Sequence, residues 1–133
     1  MTTQERIDDF LAEGPWAVAG ASTNREKYGN KVLRTYLQHG LEVYAVNPRA
    51  DEIEGVASYP DLASLPPGVR GLSIITPPAI TEELVEEAAR VGIRRLWMQP
   101  GAESPRALER ADELGLSVVA GGPCLLVVLG FRG

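Results

Sequence analysis

Apolar positions along this chain fall into two alternating rhythms. Short, mostly apolar runs at residues 16–20, 42–46, 71–75, 94–98 and 116–120 each stop at glycine, asparagine, threonine-proline or glutamine-proline. Runs this short, closed by turn residues, predict strands covered on both faces. Between them the spacing changes to three and four. Val32, Leu33, Tyr36 and Leu37 share one face of a helix predicted over 29–39, with Gly40 placed to end it. Ile80, Leu84, Val85, Ala88 and Val91 do the same over 80–91, with Glu82, Glu83, Glu86 and Glu87 outside. A third helix over 105–114 has Ser104 as its cap, Pro105 at its first position and Gly115 past its end. An opening helix over 3–13, carrying Ile7, Phe10 and Leu11, stops at Gly14-Pro15. The stretch 49–68 is turn-rich, with room for a short strand near 56–59 and one helical turn near 61–65. Strands alternating with helices call for an α/β fold of three layers, a mostly parallel β-sheet with helices on both faces.

In such sheets ligands sit outside the carboxyl ends of the strands, where the chain switches direction. That rule selects five loops: 20–29, 47–49, 76–78, 99–101 and 121–124. Gly20-Ala21-Ser22 follows a strand and precedes a helix, where backbone N–H groups and the helix dipole can hold a phosphate. The string also serves as a plain tight turn, and it lacks the second and third glycines of the dinucleotide fingerprint. Cations favour the phosphate: Arg25 and Lys27 lie in the loop, and Arg49 lies just beyond the second strand. That strand ends Val46-Asn47-Pro48-Arg49 rather than in the carboxylate expected of an NAD site. An amide beside a cation suits a phosphorylated ribose, as in NADP or coenzyme A, although Asp51 and Glu52 leave room for an unphosphorylated one.

Composition narrows the chemistry further. A length of 133 residues fits one domain, and 44% apolar with 23% charged residues describes a chain that folds. The formal charge of −5 argues against nucleic acid or anionic lipid as a partner. Between positions 25 and 49, however, five cations face two carboxylates. No apolar run approaches the roughly 20 residues of a membrane span, and the opening carries Glu5, Asp8 and Asp9, so a cytoplasmic protein is expected. No internal disulfide or metal site is expected from one cysteine, Cys124, and one histidine, His39. His39 belongs at a helix end, away from the five loops, which leaves no acid–base or nucleophilic constellation. Cys124 is read either as a packing residue or as a thiol facing a ligand.

With those loops laid out, the chain resembles the small coenzyme A-binding proteins related to the nucleotide-binding domain of the succinyl-CoA synthetase α subunit. The resemblance rests on Val18-Ala19-Gly20-Ala21-Ser22, Lys27-Tyr28-Gly29-Asn30, Val43-Tyr44-Ala45-Val46-Asn47-Pro48, Ile75-Thr76-Pro77-Pro78, Trp97-Met98-Gln99-Pro100-Gly101-Ala102 and Gly121-Gly122-Pro123-Cys124. It implies a Rossmann-like fold holding coenzyme A extended across the strand ends. By that likeness Gly20, Ala21, Ser22, Thr23, Asn24, Arg25, Lys27 and Tyr28 form the loop at the nucleotide phosphates. Asn47, Pro48 and Arg49 stand beside the adenosine, and Thr76, Pro77, Pro78, Gln99, Pro100 and Gly101 lie nearer the pantetheine arm. The synthetase's phosphorylated histidine lies in a second domain without counterpart here, so ligase activity does not carry over. The expected role is a carrier, sensor or regulatory module. Alternatives are an NADP-linked oxidoreductase, an acyl-CoA-handling enzyme that borrows residues from a partner, and an interaction domain with a vestigial cleft. The ending Leu125-Leu126-Val127-Val128-Leu129-Gly130-Phe131 differs from the acidic or histidine-bearing ends common in that family. Such an apolar tail either packs on its own domain or forms a homo-oligomer contact.

Overall fold

A computed structural model describes residues 1–133. Helix α1 (Thr3–Ala12) starts in a capping box, in which Thr2 Oγ1 accepts from Glu5 N and Glu5 Oε1 accepts from Thr2 N. It buries Ile7 and Phe10. Next come β1 (Trp16–Ala19), α2 (Tyr28–Gln38) and β2 (Val43–Val46), then the short strands β3 (Glu52–Ile53) and β4 (Val56–Tyr59). The chain continues through β5 (Gly71–Ile74), α3 (Pro78–Val91), β6 (Arg95–Met98), α4 (Pro105–Glu113) and β7 (Ser117–Val119), and ends in a π-helical turn, Leu126–Gly130.

The seven strands lie in the order β3-β4-β2-β1-β5-β6-β7, and every pairing is parallel except β3 with β4. Leaving β3 aside, the chain winds outward from β1 to one edge and then from β5 to the other. The switch point therefore falls between β1 and β5. Both of these central strands are buried along their whole length, which is why they read as apolar runs with Ser73 the one polar residue in them. Alternate residues of the sheet feed two cores. On one face Trp16, Val18, Val43, Ala45 and Trp97 pack under α1, α2 and the π-helical turn, through Phe10, Leu33, Tyr36 and Leu125. On the other, Ala17, Ala19, Leu72, Ile74, Leu96 and Met98 meet α3 and α4 through Val85, Ala88, Ala107 and Ala111. Three-layer α/β architecture of the Rossmann-like kind is thus present.

Three expectations need correction. Residues 61–65 form no helix but one backbone turn, closed by Leu65 N donating to the Leu62 carbonyl at 3.2 Å, and Asp61 Oδ1 accepts from the N–H and hydroxyl of Ser64 within it. Strand β3 has no apolar run to announce it, because it is two residues of a hairpin whose turn, Glu54-Gly55, has φ of 51° and 83°. Helix α3 begins at Pro78, two residues earlier than its apolar face implied, because Pro77 and Pro78 supply a first turn that has no use for a donated N–H. The apolar tail folds back on its own helix. Leu125 is buried, Gln38 exchanges two hydrogen bonds with Arg132, and Arg34 stacks over Phe131 at 5.0 Å. His39 caps the end of α2 and bonds the Gly130 carbonyl at 2.9 Å, away from the strand-end loops.

Candidate functional site

The site is built from a pinch between two glycines. Gly20 turns the chain at the end of β1 with φ of 91°, and a Cβ there would stand 2.0 Å from the Ile75 carbonyl oxygen beyond β5. Gly29, in the first turn of α2, brings its Cα so near Gly20 that a Cβ would meet the Gly20 oxygen at 1.9 Å. No side chain larger than hydrogen fits either contact, so the amino end of α2 is drawn onto the tips of the two central strands. Lys27 caps the helix without a side-chain acceptor, and the N–H groups of Tyr28 and Gly29 have no acceptor within the chain. Unpaired N–H groups at the positive end of a helix dipole attract anions.

The loop between the glycines is ordered by its own side chains. Ser22 Oγ accepts from Asn24 N and Asn24 Oδ1 accepts from Glu26 N, both at 3.0 Å. Buried Asn30 donates from Nδ2 to the Ser22 carbonyl at 2.8 Å and accepts from Arg34 Nε at 2.7 Å. Arg34 also donates to the Arg25 carbonyl at 2.8 Å, so this cation serves the loop's scaffold. Arg25 itself pairs with Glu54 of the β3–β4 turn at 3.3 Å. That pair was invisible before folding because the two residues lie far apart in the chain. It leaves Arg25 partly neutralised.

Asn47 joins the second loop to the first. Its Nδ2 donates to the Ala21 carbonyl at 2.9 Å, while its Oδ1 accepts from Arg49 N at 2.7 Å. Arg49 is exposed and makes no ion pair. Thr76 is tied to the first turn of α3 through a 2.8 Å bond with Thr81. Together these loops line a cleft of about 620 Å³, whose walls include Gly20, Ala21, Asn47, Pro48, Arg49, Thr76 and Pro77. Clefts of roughly 300 to 1,000 Å³ suit small organic ligands.

Pro60, Asp61, Ile80, Leu84 and Glu87 also line it, and the sequence reading missed them. The loop after β4 was a strand-end loop like the others. Its signal was the short apolar stretch before Pro60, too weak to rank with the other five. Both acids are engaged: Asp61 holds Ser64, and Glu87 accepts from Leu62 N at 3.0 Å. Carboxylate therefore does reach the cleft, although not from the tip of β2.

The remaining predicted residues divide in two. Ser22, Thr23, Asn24, Arg25 and Lys27 form a rim beside the cleft, Pro78 is exposed at the start of α3, and Pro100 and Gly101 are exposed on the loop after β6. Tyr28 and Gln99 instead meet Cys124 on the α2 side of the sheet. The Tyr28 hydroxyl donates to Gln99 Oε1 at 3.2 Å and touches Cys124 Sγ. Burial, reinforced by the cysteine contact, pushes the Tyr28 hydroxyl well above the usual phenol range, so it stays protonated. Gln99 is fully buried; its Oε1 accepts from Leu125 N at 2.9 Å, whereas its Nε2 has no partner.

A separate cavity of about 380 Å³ lies at the other end of the strands, between Leu65, Pro66, Arg70 and Arg94. No helix is long and apolar enough to cross a membrane.

The chain is similar to several known proteins. The acetate–CoA ligase (ADP-forming) I of Archaeoglobus fulgidus is 32% identical in an alignment 120 positions long that covers 82% of this chain and 17% of the ligase. The type II ligase of the same organism is 35% identical in an alignment 114 positions long that covers 77% of this chain and again 17% of the relative. The chain thus spans less than a fifth of the length of these curated relatives. Among solved structures, a hypothetical protein from Pyrococcus horikoshii superposes with a TM-score of 0.87 at 31% identity, covering 96% of this chain and 89% of that one. A Korarchaeum cryptofilum acetyl-coenzyme A synthetase superposes at 0.71 with 28% identity, covering 86% of this chain and 26% of that one. A family model described as the CoA binding domain matches residues 15–130, which takes in every strand, the glycine pinch and the cleft, and the chain belongs to that family.

Proposed function

We propose that this protein binds coenzyme A or an acyl-coenzyme A in the strand-end cleft, and that it acts without turnover of its own as a carrier, sensor or regulatory module. The observation that carries the reading is the cleft's position and lining. It opens at the switch point of a doubly wound sheet, with an unpaired arginine on one wall and a helix amino terminus with two free N–H groups on the flank. Those groups suit phosphates. Pro48, Pro60, Pro77, Ile80 and Leu84 give the apolar wall that a pantetheine chain needs, and Asp61 adds an acceptor for hydroxyl or amino groups. The residues present therefore fit the ligand.

When bound, coenzyme A supplies a thiol that carries acyl groups as thioesters. This chain's part is to hold and orient. Arg49 and the α2 amino end would neutralise phosphate charge, and the glycine pinch would keep those donors at a fixed spacing. Asn47, bonded to both loops, would stop the cleft from opening. The ligases' activity belongs to proteins about six times longer than the matched region.

A thermal-shift panel of coenzyme A, dephospho-coenzyme A, acetyl-coenzyme A, NAD, NADP and ATP at matched concentrations tests the reading. A ligand at about 100 times its Kd adds about 2.7 kcal/mol of stability. Coenzyme A or its acetyl form is expected to give the largest shift, ahead of the dephospho form. NADP in first place would point to hydride-transfer chemistry instead. No shift with any nucleotide would leave an interaction domain with an idle cleft.

A further inference from the structure

We propose that Cys124 is a site of reversible oxidation by hydroperoxides, its sulfenic acid held by the Tyr28 hydroxyl and the Gln99 side-chain amide. This does not depend on the coenzyme A reading. It starts from the one buried side-chain donor that lacks an acceptor.

Gln99 stands at the end of β6 with none of its surface exposed. Leu125 N donates to its Oε1 at 2.9 Å, and the Tyr28 hydroxyl donates to the same oxygen at 3.2 Å. The backbone N–H fixes which way the amide points, since the opposite orientation would set two donors against each other. Nε2 is consequently left buried with no partner. Buried donors are nearly always satisfied, and one that is not calls for an acceptor that arrives later. Its neighbourhood includes one side chain that can gain an oxygen. Tyr28, bonded to the Gln99 amide, touches Cys124 Sγ, and Cys124 directly precedes Leu125. A thiol sulfur is a weak acceptor. Oxidation to a sulfenic acid adds an oxygen to Sγ, which is a far better one.

The segment holds the sulfur in place. Trp97 Nε1 donates to the Pro123 carbonyl at 3.0 Å, and the N–H groups of Val127 and Val128 both donate to the Cys124 carbonyl at 3.0 Å. Cys124 is half-buried, open enough for a small oxidant. Tyr28 keeps its proton, and rotation of that O–H from Gln99 toward sulfur offers a donor to a thiolate.

In the reaction the sulfur attacks the outer oxygen of a hydroperoxide. The S–O bond forms as the O–O bond breaks, and the thiol proton leaves with the departing oxygen as an alcohol, or as water from hydrogen peroxide. Sulfur is oxidised by two electrons and the peroxide is reduced by two. The chain has no second cysteine to condense with the product, so the sulfenic acid persists until an external thiol removes it.

The test uses the full chain without nucleotide, treated with graded hydrogen peroxide, trapped with dimedone and read by intact mass. The wild type is expected to give one dimedone adduct per chain, and Cys124→Ser none. Tyr28→Phe keeps the ring, and Gln99→Glu keeps the acceptor for Leu125 N–H while removing the free amide. Each is expected to lower the adduct yield about fivefold, the size of one lost hydrogen bond. Circular dichroism checks that both fold. Should Gln99→Glu not fold, the half-buried Tyr28→Phe decides alone. No adduct in the wild type, direct passage to the sulfinic acid, or equal yields in wild type and folded variants would each overturn the proposal. None of these results bears on nucleotide binding.

Discussion

Replacing Gly20 by alanine tests the geometry on which the cleft rests. The new Cβ would lie 2.0 Å from the Ile75 carbonyl oxygen and 3.3 Å from Thr76 Cγ2, in a residue with φ of 91°. Positive φ alone costs an L-residue about 1–2 kcal/mol. Relieving the clash requires moving backbone at the tips of β1 and β5, both in the centre of the sheet, and overpacking of that kind adds about 1–3 kcal/mol. The expected loss is therefore about 2–5 kcal/mol, or about 8–20 °C in Tm at about 4 °C per kcal/mol for a domain of this size. Gly40→Ala separates the two contributions, because Gly40 also has positive φ, 67°, yet a Cβ there meets nothing within 4 Å. That variant should lose only about 4–8 °C. Paired calorimetric or fluorescence melts give the comparison. Equal Tm losses in the two variants would refute the close approach, and with it the argument that the pinch positions the α2 amino end.

Arg49→Ala should weaken coenzyme A binding about tenfold to a hundredfold by calorimetric titration, the worth of a charge-assisted contact, with little change in Tm. Arg25→Ala should weaken it less, because Glu54 already holds that guanidinium at 3.3 Å; the reverse ranking would move the phosphates to the rim. Tyr36→Phe removes a 2.7 Å bond to Ser73 inside the core and leaves that hydroxyl unpaired, so it should cost about 1–2 kcal/mol in urea unfolding. The Arg110 hydrogen bond lowers the Glu86 carboxyl below its ordinary range. Its folded pKa is thus below the unfolded one, and its contribution exists above the ordinary carboxylate range and disappears as pH falls through the folded value. Glu86→Gln should accordingly melt slightly below wild type at neutral pH and level with it in acid, and because the pair is exposed the gap should shrink in high salt.

The alternation of buried strands and amphipathic helices could be read from the chain because each signal is local. Trp16–Ala19 is apolar throughout and Gly71–Ile74 apolar but for Ser73 since both faces are covered, and the residues that follow them end the strands. Once the strands were known, the rule for open α/β sheets named the ligand-facing loops, and Gly20, Asn47, Arg49 and Thr76 do meet around one cleft. Other features depend on partners far away in sequence. Glu54 reaches Arg25 only because β3 and β4 form a hairpin beside the first loop, and Asp61 reaches the cleft only because β4 pairs with β2. Gln99 and Tyr28, read as lining residues, turn inward, and the Tyr28 hydroxyl meets Gln99 across 71 positions of chain and Cys124 across 96. Periodicity records which face of an element is buried. It holds no information about which distant side chain will be met there, because that follows from strand order and register, and these are decided only when the whole sheet is assembled.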